Sequence, residues 1–306
     1  MYKKNVAKFK SYINQLMSKY SFDGLYHFTD LTNLGSILES GVLKSRQQCE
    51  QEDAIFFDCA NAEIIENTPD CIKGCTRFYY KEKTPMLYDT EGIKCDESPP
   101  HVPIPVYLIF KEELIYCENT FFSDGNAKSD SSNFGNDFDF FSSMDWDKIF
   151  HRGSFSMDMK REYIRKRHAE LLCKNPVPIS YLKMIAFRCD ADKKRAIRLY
   201  GNNTLYVVNP NLYYNHHNYI TDYSVDLDQT KKILSIHFSF NNYSFRDYIS
   251  SYKIYDKHNT IVKQSTLTFP DGIGLSWVTK LNSFRPSWYR IEYYMGSILC
   301  IDDIIT

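Results

Sequence analysis

The pattern of hydrophobic and polar positions divides the chain into a mixed first part and an alternating second part. Apolar residues at roughly helical spacing from Tyr2 to Tyr20 predict an amphipathic helix. The run "LYHF" that follows predicts a short strand. Asp30 or Thr32 can then cap a helix, and Gly41 supplies its C-terminal stop. This segment is therefore predicted to run strand, turn, helix and glycine.

The middle of the chain predicts strands separated by loops and short helices. The runs "TRFYYKEKTPMLY" and "PVYLIF" predict strands, the first interrupted by Pro85. Residues 118–143 are rich in Asn, Ser, Asp and Gly and predict a long loop, and "DWDKIF" predicts a helical turn. The strands "LLC" and "MIAFRC" flank a turn and short helix in "PVPISYLK". A helix in "ADKKRAIRLYG" is then predicted to end at Gly201.

Beyond about residue 208, strict alternation replaces the helical pattern. Runs such as "ILSIHFSF" and "TIVKQSTLTF", separated by the turn signals "DKHN" and "PDG", predict an antiparallel β-sandwich of roughly 90 residues. The polar segment from Asn209 to Asn218, which contains Pro210, marks the predicted boundary. The fold class is thus predicted as α+β, with an α+β domain over 1–208 and an all-β sandwich domain over 209–306.

Composition supports a packed core and argues against a membrane protein. Hydrophobic residues make up 43% of the 306 residues, and the formal net charge is -1. Because that balance favours no anionic partner, an argument for nucleic-acid binding must rest on local clusters. No apolar run is long enough to cross a membrane, and the first residues lack the hydrophobic region of a secretory signal. A soluble, cytoplasmic protein is therefore expected.

The cysteines predict reduced thiols and no metal site. Nine cysteines, an odd number, are spread along the chain without a repeating framework. In a chain without a signal peptide such cysteines are mostly unpaired. Cys71 and Cys75 in "DCIKGC" do not have the spacing of a structural zinc site.

Two side chains at the ends of predicted strands are candidates for chemistry. Glu170 opens the strand "LLC" directly behind a basic stretch. A carboxylate partly shielded from water can stabilise developing positive charge, such as an oxocarbenium ion on a sugar, although a salt bridge with Arg165 or Arg167 is the structural alternative. His27 ends a strand before a capped helix, where it could orient a ligand hydroxyl or phosphate or simply pack beside aromatic residues.

Two local clusters of cations accompany these candidates. One interleaves cations with aromatic rings, as surfaces that hold a phosphate backbone and stacked bases do: Arg77, Tyr79, Tyr80, Lys81 and Lys83. The other lies just before Glu170 and contains Lys160, Arg161, Arg165, Lys166 and Arg167. Each cluster is also compatible with an ordinary solvated surface.

Taken in order, three segments resemble the DarT family of nucleic-acid ADP-ribosyltransferases, bacterial toxins with an ADP-ribosyltransferase fold. They are "YHFTDLTNLGSILESGVL", "RFYYKEKTPMLY" and "RHAELL", with support from "FSDGNA" and "DWDKI", and together they cover about residues 22–200. The resemblance implies an ADP-ribosyltransferase-like core that uses NAD as a substrate and needs no metal.

The resemblance also implies roles for individual residues. Glu170 would be the catalytic glutamate, with His27 beside it, and residues 151–169 would form the substrate-recognition loop. The implied NAD-site residues are His27, Thr29, Asn33, Tyr79, Lys83 and Met86. The implied nucleic-acid-binding residues are Arg77, Asn126, Arg165, Arg167 and His168.

One departure from the family concerns the target base. Members that modify thymidine in single-stranded DNA carry an arginine in the loop between the first two segments, where it helps to activate the base. The corresponding stretch "FFDCANAEIIENTPD" has no Arg or Lys, and Asn61 is the nearest polar candidate. Asn126 also stands where some members have a histidine. These differences leave guanine or adenine open as the target, and relatives that act on RNA leave RNA open.

The predicted function is NAD-dependent ADP-ribosylation of a base in single-stranded DNA or RNA, by the toxin of a toxin–antitoxin or phage-defence system. A single strand is expected because the target nitrogen must leave the base stack. The family implies an antitoxin of macrodomain type or another kind. Two alternatives stay open: modification of protein side chains, and a non-catalytic nucleic-acid-binding relative. The C-terminal sandwich could bind a partner, an antitoxin or nucleic acid.

Overall fold

The chain forms two compact units that interleave in sequence. The structure, a computed structural model, describes residues 1–59, 66, 68–93, 102–154, 156–215, 219–228, 230–231, 233–241, 249–268, 276–280 and 288–305. The first unit comprises Met1–Thr90 and Val106–Ala186, and the second comprises Glu91–Pro105 and Phe187–Thr306. None of the described helices is long and apolar enough to span a membrane.

The first unit is a central sheet with surrounding helices. Its described α-helices are α1 (Val6–Tyr20), α2 (Leu31–Ser40), α3 (Arg46–Gln51), α4 (Asp70–Lys73), α5 (Pro85–Thr90), α6 (Phe138–Ser143), α7 (Trp146–Ile149) and α8 (Lys160–Arg167). Its strands are β1 (Leu25–Asp30), β2 (Val42–Leu43), β3 (Thr76–Tyr79), β4 (Pro105–Phe110), β5 (Thr120–Asn126), β6 (Phe134–Gly135), β7 (Ala169–Cys173), β8 (Val177–Pro178) and β9 (Leu182–Phe187). Short 3₁₀ helices cover Glu112–Tyr116 and Ile179–Tyr181.

The opening strand–helix segment forms as its sequence predicts. The side chain of Asp30 accepts a hydrogen bond from the backbone N–H of Thr32 at 3.0 Å, which caps α2. At the other end, Gly41 adopts a left-handed conformation with φ of 71° that a side chain would disfavour. Both local signals act within a few residues, and the predicted strand, turn, helix and glycine are confirmed.

The central strands are ordered β9-β4-β1-β3-β7-β5-β6. The pairs β1–β3, β3–β7 and β5–β7 are antiparallel. Their register places Tyr26 opposite Tyr79, Tyr79 opposite Glu170, and Glu170 opposite Ser123, in one row across four strands. Every residue of β4 and β7 is buried, so Glu170 lies on a strand at the centre of the core.

Two sequence predictions for the first unit are wrong. Pro85 does not interrupt a strand but begins α5, because proline suits the first turn of a helix and the Thr84 hydroxyl accepts a hydrogen bond from Leu87 N at 3.4 Å. Residues 118–143 are not one long loop: they contain β5, which pairs with β7, and α6, whose first turn is capped by Asp137. The polar composition of this stretch gave no indication of either element. The strand β5 forms by pairing with β7, which is distant in sequence.

The second unit is the predicted antiparallel β-sandwich with one helix packed on it. Its elements are α9 (Asp190–Tyr200), β10 (Tyr206–Val208), a 3₁₀ helix (Pro210–Leu212), β11 (Ile220–Asp228), β12 (Ile233–Phe240), β13 (Ile249–Tyr255), β14 (Ile261–Thr268), β15 (Ser276–Lys280), β16 (Tyr289–Met295) and β17 (Ile298–Ile305). The sheets β11-β12-β15 and β14-β13-β16-β17 share one core, in which the rings of Phe238 and Tyr293 lie 4.6 Å apart.

Helix α9 packs against β11 and β17 of the sandwich. The ammonium of Lys194 donates to the Asp222 carboxylate at 2.6 Å and to the Tyr223 carbonyl at 2.8 Å. The guanidinium of Arg188, just before α9, lies 3.6 Å from the centre of the Tyr219 ring. The C-terminal segment of the second unit begins at Phe187, and the division predicted from sequence lies at residue 208.

Candidate active site

A cavity of about 480 Å³ opens beside β1, α2 and β3 within the first unit. Its volume is within the range of small-molecule sites, about 300–1,000 Å³. Its lining includes six residues selected from sequence: His27, Thr29, Asn33, Arg77, Tyr79 and Met86. Asn61, the other polar candidate of this region, lies outside the described residues.

His27 is held in its neutral form. Its Nδ1 lies 3.0 Å from the backbone carbonyl oxygen of Arg77. Because a carbonyl oxygen can only accept, we assign the proton to Nδ1, which leaves Nε2 as an acceptor. Burial lowers the pKa of His27, so the ring is uncharged near neutral pH.

Asn33 orders the wall of the cavity through its side-chain amide. Its Nδ2 donates to the Thr29 hydroxyl and to the Phe57 carbonyl, both at 2.8 Å. Its Oδ1 accepts from the backbone N–H of Phe57 at 2.6 Å. Asn33 thus fixes both the buried Thr29 and the segment that carries Phe57.

Tyr79 and Met86 meet on the same side of the cavity. The Tyr79 hydroxyl lies 3.6 Å from the Met86 sulfur, and its ring stacks on Phe28 with 12° between the planes. Lys83 does not line the cavity; it occupies a turn with φ of 54°, where its backbone N–H donates to the Tyr107 hydroxyl at 3.2 Å.

Glu170 is completely buried and is paired with Arg77. The Arg77 Nε donates to Oε2 at 2.8 Å, and Nη2 donates to Oε1 at 2.6 Å, so both carboxylate oxygens are occupied. The exposed fraction of the side chain is 0% for Glu170 and 31% for Arg77. Burial alone would lower the pKa of Arg77, but the charge of Glu170 and its hydrogen bonds raise it. Glu170 does form the salt bridge that the sequence offered as a structural alternative, but its partner is Arg77. The prediction of Arg165 or Arg167 as the partner was therefore wrong.

Ser123 is a site residue that the sequence analysis missed. Its hydroxyl accepts from the backbone N–H of Glu170 at 3.1 Å and donates to the Gly125 carbonyl at 2.7 Å. It fixes the strand carrying Glu170 against the neighbouring strand β5. The segment was predicted to be a loop, so only the strand pairing could have revealed this contact.

A second cavity of about 460 Å³ brings three of the predicted nucleic-acid residues together. Asn126, Arg165 and His168 line it, and Arg161 adds a further cation. The nitrogen Nδ1 of His168 donates to the Ile164 carbonyl at 2.9 Å, and burial lowers the pKa of this histidine. The side chain of His168 therefore links α8 to the start of β7, the strand that carries Glu170.

The remaining predicted cation, Arg167, belongs to a different cluster. It is one of the charges that act on Lys81, a buried lysine whose ammonium donates to the His151 carbonyl at 2.9 Å. Burial first, and then the charges of Arg167 and Arg152, lower the pKa of Lys81 to about 8. The predicted recognition loop 151–169 is in fact helical over Lys160–Arg167.

The described part of the chain offers no evident metal site. No group of three or more His, Cys, Asp or Glu side chains there could hold a metal ion. The eight cysteines that the structure describes are all free thiols.

Two solved structures have a fold similar to that of about two thirds of this chain. Thermus sp. 2.9 DarT in complex with ADP-ribosylated ssDNA is 18% identical, with a TM-score of 0.53 over 63% of this chain and 97% of that one. Thermosipho africanus DarTG in complex with ADP-ribose is also 18% identical, with a TM-score of 0.51 over 68% of this chain and 54% of that one. A comparison with curated proteins finds no match.

The family whose sequence model matches this chain places the protein among the ADP-ribosyltransferases. A sequence model of the family described as "ssDNA thymidine ADP-ribosyltransferase, DarT" matches residues 26–214. The chain belongs to this family, and the resemblance seen in the sequence is confirmed.

Proposed function

We propose that this chain transfers ADP-ribose from NAD to a base of single-stranded DNA. The observation that carries the proposal is the placement of His27, Tyr79 and Glu170 on three neighbouring strands in a chain of the DarT family. Two of the three, His27 and Tyr79, line the 480 Å³ cavity, and Glu170 is joined to it through Arg77.

The chemistry requires a negative charge near the ribose of NAD. The bond between ribose C1″ and the nicotinamide nitrogen breaks, and its electron pair leaves with the now neutral nicotinamide. The positive charge that develops on the ribose is stabilised by the Glu170 carboxylate, which acts in a low-dielectric surrounding because it is buried. A base nitrogen then forms the bond to C1″ and loses its proton to water. The unprotonated Nε2 of His27 is suited to accept a hydrogen bond from a ribose hydroxyl.

The exposed cation Arg161 and its neighbour Arg165 support a nucleic-acid acceptor. They line the second cavity together with the acidic residues Asp158 and Glu162, and α8, which carries Arg161 and Arg165, ends just before β7 and Glu170. Such cations suit a phosphate backbone, and the target base must be unstacked to react. A single strand offers a phosphate backbone, and its bases are unstacked at a lower free-energy cost than those of a duplex.

The family description favours thymidine as the target base. The stretch at 56–70 contains no Arg or Lys, so the cation that activates thymidine in other members has no counterpart there. Guanine and adenine therefore remain targets to be tested, and RNA remains a test substrate. As in the DarTG architecture, we propose a toxin that acts in the cytoplasm and is paired with an antitoxin of macrodomain type, in toxin–antitoxin or phage-defence function.

The direct test is to incubate the purified protein with labelled NAD and matched single-stranded DNA and RNA oligonucleotides of all four bases. We expect label on DNA, with Glu170→Ala lowering the rate by at least about 100-fold, since it removes the charge-stabilising group. Glu118→Ala, which removes an exposed glutamate away from both cavities, is the matched control.

The other outcomes each correct the proposal. Label on RNA alone would change the substrate class, and label on protein alone would exclude a nucleic-acid transferase. Equal rates for the wild type and a folded Glu170→Ala variant would exclude the assigned role of Glu170.

A further inference from the structure

The contact between Arg77 and Glu170 blocks the group that the reaction needs. Both oxygens of the carboxylate receive hydrogen bonds from one guanidinium, and none of the Glu170 side chain is exposed. Arg77 lines the 480 Å³ cavity, whereas Glu170 does not. The guanidinium therefore stands between the space for NAD and the catalytic carboxylate.

The pair is also electrostatically unsuited to the reaction. A carboxylate that holds a guanidinium in a two-point contact presents almost no net charge to a third group. Positive charge developing on the ribose would gain little from Glu170 while Arg77 remains in place. For Glu170 to act, the guanidinium must find another partner.

The backbone of Arg77 is fixed, so only its side chain can make this exchange. Its carbonyl accepts the hydrogen bond from His27 Nδ1, and the residue pairs with Leu172 in the β3–β7 ladder. The side chain is 31% exposed, and Arg77 lines the cavity. A planar guanidinium binds phosphate oxygens in the same two-point geometry that it uses with a carboxylate.

We propose that Arg77 is a latch that exchanges partners when NAD binds: it masks Glu170 in the free enzyme and moves to the NAD pyrophosphate in the complex. This inference rests on the proposed function, since it requires NAD in the cavity. The exchange releases the negative charge of Glu170 only when the donor is present.

The latch predicts a gain of affinity when its resting partner is neutralised. We would measure the binding of carba-NAD⁺, a non-hydrolysable analogue, by titration calorimetry. Glu170→Gln removes the charge that holds Arg77, so it should bind the analogue at least about 5-fold more tightly than the wild type, the lower end of ordinary coupling between sites. The double variant Arg77→Met/Glu170→Gln should lose this gain, because the guanidinium is the group that binds.

The design avoids the variant that is expected to unfold. Arg77→Met alone would leave the buried Glu170 charge without a partner, which costs several kcal/mol, whereas the double variant removes both charges together. Thermal unfolding of each variant checks that it is folded. Arg46→Met, alone and with Glu170→Gln, is the matched control: Arg46 also lines the cavity but pairs with Glu50 and Asp58. Its effect should be additive with that of Glu170→Gln.

The possible failures separate the latch from the proposed function. If Glu170→Gln binds carba-NAD⁺ no more tightly than the wild type, the latch is wrong while NAD binding stands. If the double variant keeps the whole gain, Arg77 does not bind the analogue and the latch is again wrong. If no folded protein binds carba-NAD⁺ at all, the proposed function fails and the latch with it.

Discussion

At the scale of single residues, the site depends on polar side chains whose hydrogen-bonding atoms each have a specific partner. The amide of Asn33 uses both its donor and its acceptor on Phe57 and also holds Thr29. Leaving a buried polar group without its partner costs about 1–3 kcal/mol. Replacing one atom of the Asn33 amide is therefore expected to disturb the wall of the cavity.

Asn33→Asp tests this dependence. It keeps the acceptor for Phe57 N–H but turns the donor toward the Phe57 carbonyl into a second acceptor, which repels that oxygen. We expect the KM for NAD to rise about 10-fold, corresponding to about 1.4 kcal/mol, with a smaller effect on kcat. Asn202→Asp at an exposed position is the control, and equal KM values for the two variants would contradict the role of Asn33.

Lys81 illustrates the cost that a cationic site imposes on stability. Its pKa is lowered to about 8 in the folded protein by burial and by Arg167 and Arg152. Because the folded-state pKa lies below the unfolded value, the free energy of unfolding rises as pH increases from about 8 toward the ordinary lysine value of about 10.4. Below pH 8 the full penalty, about 3 kcal/mol, is present.

Lys81→Met should therefore stabilise the protein at pH 7. After allowing for the lost hydrogen bond to His151, we expect a gain of about 1–2 kcal/mol in the free energy of unfolding. The gain should disappear above about pH 10.5, where the lysine is neutral in both states. Denaturant unfolding at pH 7 and pH 10.5 measures this, with exposed Lys4→Met as control; a loss of stability at pH 7 would contradict the assignment.

At the scale of elements, local signals were predictable and distant pairing was not. The strand β1 and helix α2 could be predicted because Asp30 and Gly41 set their limits within the segment itself. Helix α8 has almost no apolar periodicity and is held by ion pairs, Lys148 with Glu162 at 2.7 Å and Lys166 with Asp124 at 2.8 Å, so no pattern indicated it. The sequence indicated Glu170 as a candidate for chemistry but did not indicate Arg77 as its partner. That pairing depends on the register of β3 and β7, two strands that are far apart in sequence.

Helix α8 and the second cavity can be tested apart from the NAD site. Arg161→Ala removes an exposed cation from that cavity. We expect the affinity for single-stranded DNA to fall several-fold, and the slope of log affinity against log salt to decrease by about 0.7, the value for one lost phosphate contact. The affinity for carba-NAD⁺ should not change. Lys10→Ala on α1 is the control, and an unchanged salt slope for Arg161→Ala would exclude a phosphate contact there.

At the scale of the whole molecule, the two units do not follow one another in sequence. Glu91 shows this within the second unit: its carboxylate, 1% exposed, accepts from the backbone N–H groups of Tyr214 at 2.8 Å and Asn215 at 3.1 Å. Residues far apart in sequence are thus tied together within the second unit.

A truncated chain tests the division proposed at residue 208. Chain 1–208 keeps Glu91 but lacks both N–H donors, and it keeps Arg188 but lacks Tyr219. We expect it to unfold at a lower temperature than the full chain, because the truncation removes both hydrogen-bond donors of Glu91 and the ring against which Arg188 packs. Glu91→Ala in the full chain serves as the comparison. If chain 1–208 melts at the same temperature as the full chain, the division at 208 is an independent folding boundary.

The row of Tyr26, Tyr79, Glu170 and Ser123 across four strands has a consequence for how this family can diversify. Adding or deleting one residue in β1, β3 or β7 would turn every following side chain to the opposite face of the sheet, whereas β5 already has a register shift between Ser123 and Asn126. Length changes that preserve catalysis must therefore fall in the connections or at that register shift. New target preferences are expected to arise by remodelling loops around an inherited, unalterable strand register.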